Sequence, residues 1–349
     1  IIVTNQKGGS TNNPIALERI HVVDDDGSVL EAVSDAITLN HPGEIIQGWR
    51  FKAFPRREKK VRCRFIYKDS SGNYATAAEM LIPNPTPGPH PVWTSAPAPL
   101  TSEDGDLKVT LLDFVAGLSR EDEVEAKFRW YWIGRQTTRA VFKIEQPVRE
   151  RLSWKLQSLS IADAAGNYWK PGLENPLGNT NGDGSLVAEF IGALWPSEPA
   201  WKLRAELSRT SNFTSDELCT LPDVAVPFTN QVVTLNTAHE VNGNTLHIVT
   251  VGGMGAELPD PYRSLASAKA VNLAVRMQPG AHRLSLVRVA DGEGRLIPFS
   301  EPYPWFEDNR CFALEAAAGV GKLKITFAIH RSRFVEFTAK PKQVGKPSK

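Results

Sequence analysis

This chain of 349 residues has few cysteines, almost no net charge and no long hydrophobic run. Its three cysteines, Cys63, Cys219 and Cys311, are too few for a disulfide-rich scaffold or a clustered zinc site. The formal net charge is +1, so no overall field favours nucleic acid or an anionic membrane as a partner. No run approaches the roughly 18 to 20 apolar residues that cross a bilayer, and we expect no membrane span in this chain.

Catalytic motifs are scarce too. The seven histidines show no HExxH or other metal spacing, and no Gly-x-Ser-x-Gly elbow accompanies them. A glycine-rich run at 251–255 follows a predicted strand, but neither a Lys-Ser/Thr pair nor a helical pattern comes after it. We therefore predict no catalytic residues and no cofactor, and an enzyme ranks third among the possible functions.

Proline and glycine, at 25 and 26 residues, instead punctuate stretches in which polar and apolar residues alternate with period two. That period is typical of half-buried β-strands, and no long 3.6-residue pattern competes with it. The proline-rich run at 83–91, continued by Pro97 and Pro99, cannot supply regular ladder donors and favours extended geometry. It predicts a semi-rigid linker between β domains.

A repeat underlies this pattern. Segments 17–27, 156–166 and 284–294 align without a gap, and each predicts a strand that ends at an Asp, with a Gly three residues later to supply positive φ. A second block follows in each copy, and its inward apolar positions correspond. These positions are Val61, Leu203 and Leu323, then Cys63, Ala205 and Ile325, then Phe65, Leu207 and Phe327.

The second copy reads as about seven short strands, the number found in an immunoglobulin-like or fibronectin-like sandwich. We expect them near 107–113, 126–134, 139–146, 154–162, 185–194, 201–208 and 217–226. The predicted fold is all-β, with three tandem β-sandwich repeats joined by Pro-rich linkers. The predicted division is repeat 1 at 1–90, a linker at 91–99, repeat 2 at 100–227, repeat 3 at 228–341 and a basic tail at 342–349.

At the level of fold, this organisation resembles the bacterial surface and secreted proteins built from immunoglobulin-like repeats. The Cys, Trp, Cys signature of true immunoglobulin domains is missing, so the topology within the sandwich class stays open. The resemblance implies adhesion, scaffolding or spacing. The missing initiating Met suggests either a removed targeting segment or a trimmed chain. We expect a non-enzymatic protein outside the cytoplasm, whose partners are itself or a cell-surface protein or polysaccharide.

One loop carries part of a calcium motif. Asn179, Asn181 and Asp183 stand at alternate positions before Gly184, as in an EF-hand loop, and would supply oxygen ligands. The twelfth position is Phe190, however, so the bidentate carboxylate is absent. A polar hairpin turn gives the same letters and is the favoured interpretation.

Basic residues at matching strand positions suggest a binding surface. Strand alternation should turn Arg62 and Arg64 outward, away from an inward Cys63 that acts as a small hydrophobe. Arg204 and Lys324 repeat the pattern, and Tyr131 is expected outside when the flanking Trp residues are core. Such a surface could bind an anionic polymer, or it could be a solvated face that discourages edge pairing.

Repeat 1 has only sixteen residues ahead of its first block, so its sandwich should have open edges and an uncovered core. It is trimmed or simply smaller, or else a neighbouring copy donates a strand, from 1–5 or from 334–337, and builds a filament. The runner-up function is a carbohydrate-binding or accessory module, which predicts a coplanar row of exposed aromatic rings on one sheet face.

Overall fold

The computed structural model of the chain is all-β and almost entirely antiparallel, as the period-two pattern predicts. Its only helices among the described residues are two short 3-10 turns, Ser215–Glu217 and Arg263–Leu265. The structure describes residues 2–6, 17–23, 27–31, 33–41, 44–50, 53–68, 71–85, 87–116, 119–120, 137–146, 153–170, 179–180, 184–191, 194–195, 198–278, 282–301, 309–315 and 320–343.

The strands follow one another in chain order as β1 to β26. The first thirteen are β1 Ile2–Gln6, β2 Leu17–Val23, β3 Ser28–Glu31, β4 Val33–His41, β5 Glu44–Arg50, β6 Lys60–Lys68, β7 Tyr74–Pro83, β8 Leu100–Asp104, β9 Leu107–Ala116, β10 Ser119–Arg120, β11 Thr137–Ile144, β12 Trp154–Asp163 and β13 Tyr168–Trp169. The others are β14 Asn179–Thr180, β15 Leu186–Ile191, β16 Trp201–Arg209, β17 Leu218–Ala225, β18 Val232–Val241, β19 Asn244–Gly252, β20 Val271–Met277, β21 His282–Asp291, β22 Phe299–Ser300, β23 Asn309–Leu314, β24 Lys322–Arg331, β25 Arg333–Ala339 and β26 Lys342–Gln343.

The strands expected in repeat 2 are therefore present as β9, β11, β12, β15, β16 and β17, whereas the one expected near 126–134 lies outside the described residues. Alternation explains them well. In β16, Trp201, Leu203, Ala205 and Leu207 are buried, whereas Lys202 and Arg204 between them are not.

The chain forms two units, and the first is built from Ile1–Leu152, Leu156–Leu207 and Phe334–Lys349. Its sheets have the strand orders β1-β5-β4, β10-β3-β2-β6-β7, β14-β15-β11-β9-β26 with β8 on β9, and β13-β12-β16-β25. Large side chains from several of these sheets are fully buried. They include Ile20, Ile66, Leu107, Leu111, Phe114, Phe142, Ile144, Trp195 and Trp201.

The second unit consists of Ser153–Lys155 and Ser208–Arg333. It contains a three-stranded sheet, β17-β24-β21, and a five-stranded sheet, β18-β19-β20-β23-β22. Their inward residues form one hydrophobic core. Its largest members include Leu246, Ile248, Leu273, Val275, Phe312, Leu314, Ile325, Phe327 and Ile329. The division of the whole chain into three repeats stays a prediction.

Strands β17 and β25 pair across the boundary predicted between repeats 2 and 3. β17 follows β16 but pairs with β24 in the second unit. β25 follows β24 after the single residue Ser332, yet it lies beside β16 in the first unit. The predicted division places β17 in repeat 2 and β25 in repeat 3, whereas in the structure β17 belongs to the second unit and nearly all of β25 to the first. Local spacing alone could not predict this exchange, because strand partners are set by non-local packing.

The turns of the sequence repeat have the backbone that the motif requires. Gly27, Gly166 and Gly294 have φ of 81°, 93° and 82°, a region that other residues rarely adopt. Asp163 accepts the backbone N–H of Asn167 at 2.8 Å, and Asp291 accepts the N–H of Arg295 at 2.9 Å. The carboxylates thus cap their own turns, as predicted.

Candidate functional site

The structure leaves out most of the predicted calcium loop and also Tyr131, the aromatic residue predicted to be exposed. Tyr131, Asn181 and Asp183 lie outside the described residues, while Asn179 begins the two-residue strand β14, opposite Val187. Gly184 has a φ of 77°, which both a hairpin turn and a calcium loop allow. In the part of the chain that is described, no cluster of His, Cys, Asp and Glu residues could hold a metal ion. The calcium site stays a prediction.

The basic residues at matching strand positions are Lys60, Arg62 and Arg64 in β6, Lys202 and Arg204 in β16, and Lys322 and Lys324 in β24, and each set is called a basic column below. Each basic column lies beside a carboxylate on an adjacent edge strand. In the first unit, the Glu79 carboxylate of β7 is 3.1 Å from Arg64 Nη2 and 3.7 Å from Arg62 Nη1. The second column has the same arrangement, with Glu336 of β25 lying 3.6 Å from Arg204 Nε and 3.9 Å from Lys202 Nζ. These pairs lower the net positive charge that a polyanion would meet.

The basic column of the second unit has one ion pair of the same kind, in which Lys322 Nζ lies 3.5 Å from Asp223 of the edge strand β17. Lys324 is exposed and has no ion pair within the described ranges. Both partners of the Lys322–Asp223 pair are well exposed, so it adds little to stability.

Arg64 does not point into solvent as predicted, because only 6% of its side chain is exposed. Alternation does place it on the face opposite Cys63, but that face is covered at this position. Its cross-strand partner His21 is buried too, and burial, followed by the charges of Arg19 and Arg64, lowers the pKa of His21 to about 3. Arg64 therefore cannot contact a polymer, and the predicted surface in this sheet is reduced to Arg62.

Cys63 is buried, as predicted for a small hydrophobe, and burial raises the pKa of its thiol to about 11. Burial likewise raises the pKa of Cys311 to about 12. Thiolates are the reactive form, so these two thiols are inert near neutral pH. All three cysteines are free.

Aromatic rings near the basic columns have cations against their faces. Lys202 Nζ lies 5.1 Å from the centre of the Trp93 ring, and the Arg204 guanidinium lies 4.4 Å from that of Phe334. The strongly exposed aromatics among the described residues, Tyr168 at 66% and Phe228 at 81%, belong to different units. The described residues therefore contain no coplanar row of exposed rings on one sheet face.

The Pro-rich segment is fixed by an ion pair between the half-buried Arg57 and the buried Glu198. Arg57 precedes β6, and its Nε donates to Glu198 Oε1 at 2.7 Å, while its Nη2 reaches Glu198 Oε2 at 3.2 Å. The same guanidinium donates to the carbonyl oxygens of His90 and Pro91, at 3.2 and 2.5 Å. Burial raises the pKa of Glu198, which Arg57 partly offsets. One side chain thus joins predicted repeat 1, the linker and predicted repeat 2.

Further polar contacts fix the same segment from both sides. Asn84 Nδ2 donates to the carbonyl oxygens of Pro55, Arg56 and Glu58, at 3.3, 2.9 and 2.7 Å. Ser95 Oγ donates to the Pro199 carbonyl at 3.0 Å. Because hydrogen bonds hold this segment at several points between Asn84 and Ser95, it is a structured part of the first unit.

Asn167 forms a second polar junction between distant parts of the chain, in addition to the one formed by Arg57. It follows the turn of β12, where Asp163 Oδ2 accepts its side-chain amide at 2.6 Å. Its side chain bonds both backbone polar groups of Phe54, and its Oδ1 also accepts from Arg56 Nε at 3.2 Å. The sequence repeat predicts the turn after β12 but not its contact with Phe54. The available signal was a polar amide placed directly after a capped turn.

The edge strand β7 exposes apolar side chains. Among the described strands it pairs with β6 alone, and Met80 and Leu81 are 53% and 61% exposed. Met80 lies opposite the buried Cys63 and thus on the core face, so the core of this sheet is open at its edge. The open edges predicted for repeat 1 from its short N-terminal part stay a prediction.

Both segments that sequence analysis offers as strand donors are in use within their own chain. Residues 2–6 form β1, which pairs antiparallel with β5. Residues 334–337 belong to β25 beside β16, and Val335 and Phe337 are buried there. Donation from either segment would first have to break these pairings.

No described helix combines the length and the apolar character needed to cross a membrane. No protein-family model and no curated protein matches the sequence. Two solved structures align with it, the N-terminal four Ig domains of Dscam1 isoforms 6.9 and 9.44, at 10% and 9% identity. Each alignment covers 93% of this chain and 90% of the other, with TM-scores of 0.15 and 0.13. Scores this low carry no argument about function.

Proposed function

We propose that this chain is a non-enzymatic structural or adhesive scaffold, in which β modules hold loops and sheet faces at fixed spacing. The observation that carries the proposal is the bonding of the Pro-rich segment by Arg57. A guanidinium that bonds Glu198 and two linker carbonyls limits bending between the β6 sheet and the strands that follow it. Stiffness of this kind is what presentation at fixed spacing requires.

The polar character of the junction supports the same proposal. Glu198 is 3% exposed and Asn167 is 4% exposed, and both have bonded partners. Breaking such contacts leaves polar groups buried without partners, so the bonded arrangement is strongly favoured over a bent one. A location outside the cytoplasm, and a cell-surface protein or polysaccharide as partner, are parts of the proposal. Fractionating cells that express the intact gene product tests the location.

The carbohydrate-binding alternative has less support. Trp93 and Phe334 have cations against their faces, and the basic columns are largely neutralised by Glu79 and Glu336. Sugar recognition by stacking needs free ring faces. The alternative predicts binding to a polysaccharide column through aromatic residues, which Tyr168→Ala should weaken.

Spin-label distance measurement tests the scaffold proposal. Labels at Lys59→Cys and Leu112→Cys, two exposed positions in the first unit, are introduced with Cys219→Ser and diluted with unlabelled protein. We expect one narrow distance distribution, which Arg57→Ala should broaden. Arg139→Ala, at another exposed arginine of this unit, is the matched control and should change nothing. A broad distribution in the unaltered protein would contradict the scaffold.

A further inference from the structure

We propose that β7 is a self-association edge, and that two copies of this chain pair antiparallel through Ala78–Ile82 about a two-fold axis at Met80. This inference deepens the scaffold function and rests on it. It follows from the ends of the regular part of β7, from the charge of the strand and from the exposure of its apolar side chains.

The length of strand that can pair is limited on both sides. Phe65 lies opposite Ala78, whereas Ile66 lies opposite Thr76, so Ala77 is an extra residue that bulges the strand. Pro83 ends β7 and has no N–H to donate to a ladder. The regular run is therefore 78–82, and its central residue is Met80.

The charge of the strand suits an identical partner. Edge strands usually resist pairing through lysines or other uncompensated charges. The one charged residue in β7 is Glu79, whose carboxylate accepts from Arg64 Nε and Nη2 at 3.2 and 3.1 Å. With the axis at Met80, Glu79 of one copy faces Leu81 of the other, and the two carboxylates do not oppose each other. A foreign strand of high charge has no matching group here.

The apolar residues match in the same register. Ala78, Met80 and Ile82 lie on the core face, because their cross-strand partners are the buried Phe65, Cys63 and Val61. In the paired dimer these three residues meet the same three of the other copy, and the two open cores become continuous. An isologous contact of this kind closes after two copies and does not propagate into a filament.

Analytical ultracentrifugation of the full chain over about a hundredfold range of concentration tests the proposal. We expect a reversible monomer–dimer equilibrium, because a single added strand pair is a small interface. Met80→Lys should raise the dissociation constant at least about tenfold, since the two-fold axis then places two lysines directly opposite each other. Val287→Lys, at an exposed position of β21 in the second unit, should leave the equilibrium unchanged.

Cysteine cross-linking tests the register. In a Cys63→Ala, Cys219→Ser background, which removes the thiol opposite position 80 in the same chain, Met80→Cys should form an intermolecular disulfide with oxidised glutathione. Directly opposed Cα atoms are about 4.5 to 5.5 Å apart. Ala78→Cys should not, since its two copies lie four residues apart along the strands, roughly 13 Å. Stronger cross-linking at Ala78→Cys than at Met80→Cys would overturn the register.

Other outcomes overturn the proposal as a whole. A monomer throughout the concentration range, a dimer insensitive to Met80→Lys, or a polymer that grows with concentration would each do so. So would a monomer that binds only foreign extended peptides at β7. None of these results alters the label distances within one chain, so failure of the dimer and failure of the scaffold are separable.

Discussion

Asn167 pairs with the backbone of Phe54 as a neighbouring strand would. Its Nδ2 donates to the Phe54 carbonyl oxygen at 2.8 Å, and its Oδ1 accepts the Phe54 N–H at 3.1 Å. The two residues are 113 positions apart in the chain. The side-chain amide of Asn167 thus takes the place of a backbone partner and satisfies both backbone polar groups of Phe54.

Removing this amide should destabilise the first unit. We expect Asn167→Ala to lower its free energy of unfolding by about 2 to 4 kcal/mol, because the Phe54 backbone and the buried Asp163 both lose a partner. Urea denaturation measures the change. Asn244→Ala, which removes an exposed bond to the Asn242 carbonyl in the second unit, is the control and should have little effect. Equal effects of the two substitutions would contradict this account of the junction.

Gly253 should not tolerate a side chain. A Cβ at this position would lie 2.1 Å from the carbonyl oxygen of Phe228, a backbone atom that cannot rotate away. Gly253→Ala should therefore lower the stability of the second unit by about 2 kcal/mol or more and displace the 227–231 loop. Gly292→Ala is the matched control, since nothing lies within 4 Å of its Cβ position. Calorimetry compares them, and similar melting temperatures would refute the expected clash.

His330 should make the second unit sensitive to acid. The side chain is fully buried beside Ser285 and Phe213, and burial, followed by the charge of Arg209 and other cations, lowers its pKa to about 4. The unfolded state binds a proton below about pH 6.5, whereas folded His330 stays neutral down to about pH 4. Stability should thus fall by about 2 to 3 kcal/mol as pH falls through this window.

Hydrogen exchange of the β24 amides at several pH values gives a local measure of that effect. The local readout matters because His21 of the first unit has a pKa shifted in the same direction. His330→Gln removes the titration and should flatten the pH dependence in β24. If the slope is unchanged in this variant, another group is responsible for the acid sensitivity.

The matched core positions should behave as separate cores. Leu207 and Phe327 are fully buried and Phe65 is 8% exposed, as the repeat predicts. Phe327→Ala should lower the stability of the second unit by about 3 to 5 kcal/mol, and Leu207→Ala that of the first by about 2 to 5 kcal/mol. Calorimetry should show two transitions, each shifted by its own substitution. A single transition that moves with either one would mean that the units do not unfold separately.

Local features of this fold were predictable. The Asp and Gly of each turn, the inward Cys63 and the alternation of β16 all depend on neighbours in the chain, and sequence contains that information. Pairing of β25 with β16 was not predictable, because the alternation of 333–339 suits any sheet edge equally well. The prediction that Arg64 is exposed was wrong for a related reason, since alternation gives the face on which a residue lies but not what covers that face.

The candidate site follows the same division. The few residues ahead of the first block of repeat 1 do not identify β7 as an edge, because β7 is the last strand of that predicted repeat. Arg57 and Asn167 could not be recognised, since each acts through backbone groups distant in sequence, which leave no residue pattern of their own. The predicted roles of Tyr131, Asn181 and Asp183 stay predictions.

The exchange of β17 and β25 also bears on the order in which a ribosome produces the parts of this protein. Strands β17 to β24 form one continuous stretch, so the second unit has all of its sheet partners once β24 has emerged. The first unit begins earlier but lacks the strand beside β16 until β25 has emerged, after all strands of the second unit. Domains usually fold in the order in which they are made. Here the unit whose synthesis begins first is completed after the second unit, and its β16 edge needs protection from other nascent chains until then.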